Sequence, residues 1–405
     1  MESQELTVEF LWGRLRNNED IALIDATVDV WWRDRARVSG LAAIVGLGLR
    51  EDKELRFSEA RVQVTALPAL IGTLPLVRYN YPLPGKDPLD GTYAVEGNPG
   101  ASLKWESTLG AVACDYNLNI SGFDGFHWHV DTLPEITVRP PIPLTVQEYF
   151  GSWLTPIRQI ATFLTGQSQK VTKFTVGRAP AGGAAPEGTF PRRFKVYAGG
   201  LGQTKYRSSR PNPLELRPMY CLAELPYDFP LLITRWTELT ATLPQALTPY
   251  LNTLFLAALP PRAQFLYTVQ ALEAIHRAVE DPAVYAEHMA TRAKVLARSK
   301  ELGLDKELRT FLHERIDRHG GPSLRRRLEN LLSRVPPSIQ QVDTANLLAE
   351  RVPAMRDDLA HGLREYEPTV LLPFIRAMKT LADAHLLQLL DLEPEHALRL
   401  STTTS

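Results

Sequence analysis

The period of the hydrophobic pattern changes near residue 240, and that change constrains the fold of this 405-residue chain more than any other feature. Before it, six segments alternate or cluster β-branched and aromatic residues: "ALIDATVDVWW" (22–32), "ARVQVTAL" (60–67), "AVACDYNLNISG" (111–122), "FHWHVDTLPEITV" (126–138), "KVTKFTVG" (170–177) and "RFKVYAGG" (193–200). Gly, Pro, Asn and Asp punctuate them, the pattern of an antiparallel sandwich or barrel. After it, apolar residues recur at threes and fours. In "QFLYTVQALEAIHRAVED" (264–281), Phe265, Val269, Leu272, Ile275 or His276, and Val279 form one helical stripe. The pattern predicts an α+β chain of two domains. The first, at 1–245, is β-rich, antiparallel and sandwich-like with one helical insertion. The second, at 246–405, is an all-α helical bundle.

The insertion is "TVQEYFGSWLTPIRQIATFLTG" (145–166). Thr145 and Glu148 have the spacing of a capping box, in which each side chain satisfies an orphan N–H at the helix start. Gly166 suits the stop, and Pro156 is expected to kink the helix by crowding the Ser152 carbonyl. Further helices are predicted at 284–300, 304–318, 322–334, 339–361 and 368–391, with Pro282, Pro322, Pro336, Pro337 and Pro368 at their boundaries. "RAPAGGAAPEGTFP" (178–191) reads as a mobile loop. A fixed repeat is not visible, which argues against a solenoid.

Composition narrows the class. With 44% hydrophobic and 22% charged residues, the chain reads as a globular protein that can bury a real core. Cys114 and Cys221 match no metal or redox spacing and suggest a reducing compartment, although a single disulfide stays open. Neither a leader nor a membrane span is evident, so the expected location is the cytoplasm, with no membrane partner. At a formal net charge of −1, any nucleic-acid ligand has to be held by a local patch.

"RDDLAHG" (356–362) carries the most specific chemistry. On an ideal helix, residues five apart diverge by about 140°, so Arg356 and His361 point different ways, whereas Asp357 and His361 share a face. Asp357 is positioned to orient the imidazole. Joining Arg356 and His361 on one substrate needs a helix end, a bend near Pro353 or Gly362, or a second copy across a dimer interface. The pair suits RNA cleavage without a metal or other cofactor. Histidine exchanges protons near neutrality at the 2′-hydroxyl or the leaving 5′-oxygen, and arginine offers a fork of donors to phosphoryl oxygens. The plainer reading is a helix end whose Arg and His complement the dipole and pair with the two Asp.

Other clusters carry less. Arg325, Arg326 and Arg327, with Arg309, Arg315, Arg318 and His319, are a candidate RNA-binding face, but residues 261–405 hold 20 basic and 20 acidic side chains, and a solvated helix surface is the plainer reading. His127 and His129 share one side of a strand, with Trp128 on the other, but a zinc site needs a third ligand that the sequence does not supply. Trp31, Trp32, Trp105, Trp153 and Trp236 read as core aromatics, an exposed sensing patch being the alternative.

"FLYTVQALEAIHR" (265–277) and "VPAMRDDLAHG" (352–362) together resemble the HEPN superfamily, in particular the HEPN domain of ApeA-type anti-phage proteins. The N-terminal half is similar to the ApeA N-terminal domain in its β texture, in "FSEARVQVTALPALIG" (57–72) and in "LLITRWTELTATLPQAL" (231–247) before the helices. The resemblance implies a metal-independent endoribonuclease whose composite site forms when two HEPN domains pair. Its products would carry a 2′,3′-cyclic phosphate and a 5′-hydroxyl. Arg356 and His361 would be the catalytic pair, with Asp357 supporting; Asn most often follows the Arg in this family, so Asp357 leaves acceptors only. Glu273 matches the first-helix Glu and reads as structural. The implied setting is abortive-infection defence, with RNA as substrate, a homodimer or higher oligomer, a phage-derived trigger, and a sensing or regulatory role for the domain at 1–245. Two alternatives remain: a HEPN module that binds RNA, a nucleotide or a partner protein without cutting, and a structural protein whose helical half only dimerises.

Overall fold

The structure is a computed structural model, and it describes residues 4–32, 35–47, 55–80, 94–121, 129–178, 192–199, 216–256, 258–280, 282–311, 322–344 and 347–401. The chain divides into two compact units, Met1–Arg235 and Trp236–Ser405.

Among the described residues of the first unit, ten antiparallel strands join one hydrogen-bonded sheet. In chain order they are β1 (Gln4–Arg14), β2 (Asp20–Trp32), β3 (Arg35–Ser39), β4 (Ala42–Val45), β6 (Glu59–Val64), β9 (Leu103–Ser107), β10 (Gly110–Ser121), β11 (His129–Arg139), β13 (Val171–Arg178) and β14 (Arg192–Ala198). Their spatial order is β1-β2-β4-β14-β13-β6-β11-β10-β9, with β3 also on β2. Two ribbons complete the strands: β5 (Arg56–Phe57) with β12 (Leu144–Thr145), and β7 (Leu76–Asn80) with β8 (Ala94–Gly97). The six strands predicted from alternation are present, and all join the one sheet.

Register sorts the two sheet faces. Phe174 pairs with Val62, Val62 with Ile136, and Ile136 with Cys114. Directly paired residues point the same way, and all four are buried. Fully burying an aliphatic or aromatic side chain of this size contributes about 1.5–3 kcal/mol, so this row is part of the core. The opposite face carries Glu59, Arg61, Glu135, Thr137, Arg139 and Lys173, a contrast that period-2 alternation dictates. The β9–β10 turn closes at Gly110, where φ is +116° and an added Cβ would lie 2.2 Å from the Arg139 carbonyl oxygen. Only glycine fits there.

The helical insertion packs on the apolar side, where Phe150 meets Phe174 and the Tyr149 hydroxyl donates to the Phe57 carbonyl. Its start is Val146–Tyr149, with the Thr145/Glu148 capping box formed in both directions. The expected kink at Pro156 takes another form: a π turn at Phe150–Leu154 runs into the helix Thr155–Thr165. The wider turn lies just ahead of Pro156, whose missing N–H and ring disrupt regular helical bonding, and Gly166 ends the helix in the left-handed conformation. Trp153 is buried here, Trp105 is half-buried against Phe229, and the side chains of Trp31 and Trp32 lie outside the described residues, as do His127 and Trp128.

Helix begins earlier than the texture suggests. Residues 1–240 read as mostly β, yet Phe229–Thr242 is helical, because its β-branched and aromatic residues are recruited by burial rather than by propensity. The second unit contains Pro244–Phe255, Pro261–Val279, Pro282–Glu301, Leu324–Ser333, Pro337–Thr344, Leu348–His361 and Pro368–Leu389. The expected single helix at 339–361 is two helices, and Leu347, at φ +49°, precedes the second. Five of these helices start on Pro, whose fixed φ suits the first turn. Pro261–Val279 packs against Pro244–Phe255, Leu324–Ser333 and Pro368–Leu389, burying Phe265, Val269, Leu272 and both Ile275 and His276. Trp236 is fully buried.

Candidate functional site

The helix Leu348–His361 presents the Arg356–His361 motif because its other side is apolar. Leu348, Val352, Met355 and Leu359 are buried at intervals of three and four, which turns Arg356 partly outward and leaves Asp357 and His361 exposed. The helix continues without interruption to His361 and stops at Gly362, which adopts φ +66°. The Asp358 carbonyl accepts from both the Gly362 and the Leu363 N–H, the latter at 2.9 Å. This is the left-handed helix stop that glycine favours, and it places His361 on the last helical residue, at the negative end of the helix dipole.

Neighbouring side chains fix this end. Arg262, at the start of Pro261–Val279, donates at 2.5 Å to the Leu359 carbonyl, one of the acceptors that a helix end leaves open. The Tyr366 hydroxyl donates at 2.6 Å to the Asp358 carboxylate, folding the turn after Gly362 back onto the helix. That bond holds the Tyr366 hydroxyl above its usual pKa. The Arg364 guanidinium lies 5.0 Å from the centre of the Tyr366 ring. Sequence reasoning missed Arg262, Asp358, Arg364 and Tyr366. An Asp and a Tyr eight residues apart across a glycine turn match no helical spacing, so no signal marks them in advance.

Asp357 is placed differently from the expectation. Its carboxylate accepts from Arg356 Nη1 at 2.9 Å, and no hydrogen bond from a described residue reaches the His361 imidazole. The adjacent guanidinium offers a closer charge partner than an imidazole one turn away. Arg356 and Asp357 remain 40% and 62% exposed, so the pair is open to exchange with a phosphate.

The arginine cluster does not form one face. Arg325 bonds Glu329 at 2.9 Å. Arg327 donates to the Pro322 carbonyl at 2.8 Å and lies 3.9 Å from Glu273. Of the three, Arg326 alone points outward without a described side-chain partner, and Glu273 stands beside Arg327. Arg309 is exposed, and Arg315, Arg318 and His319 lie outside the described residues. Among the described residues no group of three or more His, Cys, Asp or Glu is arranged to hold a metal, and no helix is long and apolar enough to cross a membrane.

His276 is a histidine of another kind. It is 2% exposed, with Nε2 3.4 Å from Asn330 and Nδ1 3.7 Å from Glu280. Burial first, then the charges of Arg327, Arg334 and His385, push its pKa down to about 4. It is a neutral core residue, whereas His361 is open to solvent.

Residues 266–396 match the family model described as Apea-like HEPN. The C-terminal unit carries an Apea-like HEPN domain. The match includes Glu273, the arginines at 325–327 and the whole of "RDDLAHG". Arg262, which braces the last turn of the motif helix, lies four residues ahead of it. The β-rich unit lies outside the matched residues. Among curated proteins and solved structures, none matches the chain.

Proposed function

We propose that the chain is a metal-independent endoribonuclease of anti-phage defence, acting through the Apea-like HEPN domain and controlled by its β-rich unit. The observation that carries this reading is the placement of Arg356 and His361 on the exposed end of one helix inside the matched domain.

The substrate 2′-oxygen attacks the adjacent phosphorus, the 2′-O–P bond forms and the P–O5′ bond breaks. His361 takes the 2′ proton or delivers one to the leaving 5′-oxygen, since imidazole serves either role near neutrality. Arg356 exchanges its Asp357 contact for the phosphoryl oxygens, where its forked donors offset the added charge of the transition state. Because Arg356 and His361 diverge on one helix, the working site is shared by two copies of the motif in a homodimer. Asp357 holds Arg356 ready. The products are a 2′,3′-cyclic phosphate and a 5′-hydroxyl.

The test is cleavage of end-labelled single-stranded RNA in EDTA. Folded His361→Ala and Arg356→Ala proteins should lose cleavage by about 100-fold or more, with the cyclic phosphate identified by mass. Undiminished cleavage by either variant, or cleavage abolished by EDTA, would overturn the reading. Tight RNA binding with no turnover would favour the non-cutting HEPN module.

A further inference from the structure

The polar face of the N-terminal sheet is a charged platform that the HEPN reading does not use. Glu59 and Glu135 are each 2% exposed although they lie on the side away from the apolar core. Long cationic side chains cover them. Arg61 bonds Glu59 at 2.9 Å and reaches Glu135 at 3.5 Å, Arg139 bonds Glu59 at 2.8 Å, Lys173 bonds Glu135 at 2.6 Å, and Arg193 lies 3.4 Å from Glu59. Four cations thus share two carboxylates. The side chains of Arg139, Lys173 and Arg193 still expose 53%, 45% and 34% of their surface.

Register extends the platform. Lys195 pairs with Thr175, Thr175 with Arg61, Arg61 with Thr137, Thr137 with Ala113, and Ala113 with Lys104. The row crosses six strands, a span of about 24 Å at the usual strand spacing. Lys195 and Lys104, at its two ends, are exposed and have no described side-chain partner. Among the described side chains of these six strands, Asp115 and Glu106 bring the acidic groups on this face to four against six cations, and Asp115 is occupied by the Ser102 hydroxyl. Over these six strands the described side chains give the face a positive excess, on a chain whose net charge is −1. Tyr197 stands two residues beyond Lys195 on the same side of β14, 43% exposed.

We infer that this face binds a single-stranded nucleic acid, with the cations following its phosphates and Tyr197 stacking on a base. Charge complementarity selects a polyanion. An exposed aromatic ring beside lysine and arginine on an open sheet selects unpaired bases, whose faces a duplex would hide. Glu59 and Glu135 keep the cationic side chains spread at fixed places, so little ordering is left for binding.

The test is anisotropy of a fluorescent single-stranded 2′-O-methyl oligonucleotide, which has no 2′-hydroxyl to attack and reports binding apart from cleavage. The Lys104→Glu/Lys195→Glu double variant of the full chain should bind at least about tenfold more weakly. Its dependence of log Kd on log salt should fall by about two contacts. Tyr197→Ala should weaken binding by about fivefold or more with the salt dependence unchanged. Circular dichroism checks that each variant folds, and if the double variant does not, the Tyr197→Ala result decides alone. Wild-type affinity in the folded variants would overturn the inference. So would equal binding of the matching duplex, or displacement by polyglutamate, which would make the face a dock for acidic protein.

Discussion

Glu59 on the sheet and Asp383 in the helical bundle are both buried carboxylates, at 2% and 4% exposure, and they settle into opposite states. Burial by itself raises both. At Glu59 the bonds and charges of Arg61 and Arg139 more than reverse it, and the carboxyl sits below its ordinary value. At Asp383 burial dominates the Tyr250 hydroxyl bond and the nearby Lys379, and the carboxyl is pushed up to about 7. The same desolvation that keeps Asp383 partly protonated keeps His276 neutral in the same bundle. The sheet spends cations on its buried acids and holds them charged, whereas the bundle supplies few and holds its buried groups neutral. The sheet therefore has an ionic face built on buried carboxylates to offer a partner, whereas the charged groups of the motif helix stand at its exposed end.

Four substitutions separate the two behaviours, taken in order of decreasing effect. Phe265→Ala removes a fully buried ring from the bundle and should cost about 3–5 kcal/mol in urea unfolding. Glu59→Gln should cost about 3 kcal/mol, the low end for breaking a buried pair, since Arg139 and Arg193 can return to water. A loss under about 1 kcal/mol would mean the sheet face behaves as an ordinary solvated surface.

Asp383→Asn probes the neutral side of the comparison through pH. The folded pKa of Asp383 is raised, so its contribution is present at low pH and is lost as pH rises from about 4 to about 7. The folded pKa of His276 is lowered, so its contribution is present above about 6.5 and is lost as pH falls toward about 4. The two slopes oppose each other across the same window. Asp383→Asn should gain on the wild type by a few kcal/mol between those limits and should expose the acid-side loss due to His276. A constant difference at all pH values would show that Asp383 stays charged. Last, Arg325→Ala removes an exposed pair with Glu329 and should change stability by about 0.3–0.5 kcal/mol.

Local rules carried far into this structure. Thr145, Glu148 and Gly166 mark the insertion because caps depend on a few neighbouring residues, and the stripe from Phe265 to His276 is visible because helical period decides burial. The alternation that located six strands also located the core row through Val62 and Ile136. What stayed hidden depends on partners distant in sequence. Glu59 is a buried hub only because β11, β13 and β14 bring Arg139 and Arg193 to it. Period-2 logic places Glu59 on the polar face but does not bury it. The break ahead of Leu348 was missed because apolar spacing runs on through both helices. At the candidate site, Arg356, Asp357 and His361 stand toward the exposed end of one helix, but spacing could not choose between Arg356 and His361 as the partner of Asp357, nor find Tyr366 behind Asp358.

In the proposed dimer two motif helices complete one another, and mixing inactive Arg356→Ala and His361→Ala proteins, followed by subunit exchange, puts that pairing to the test. Half of the resulting dimers are mixed, and each has one site with both groups intact. RNA cleavage in EDTA should therefore return to about a quarter of the wild-type rate. No recovery in a mixture shown to contain mixed dimers would contradict a site shared in this way.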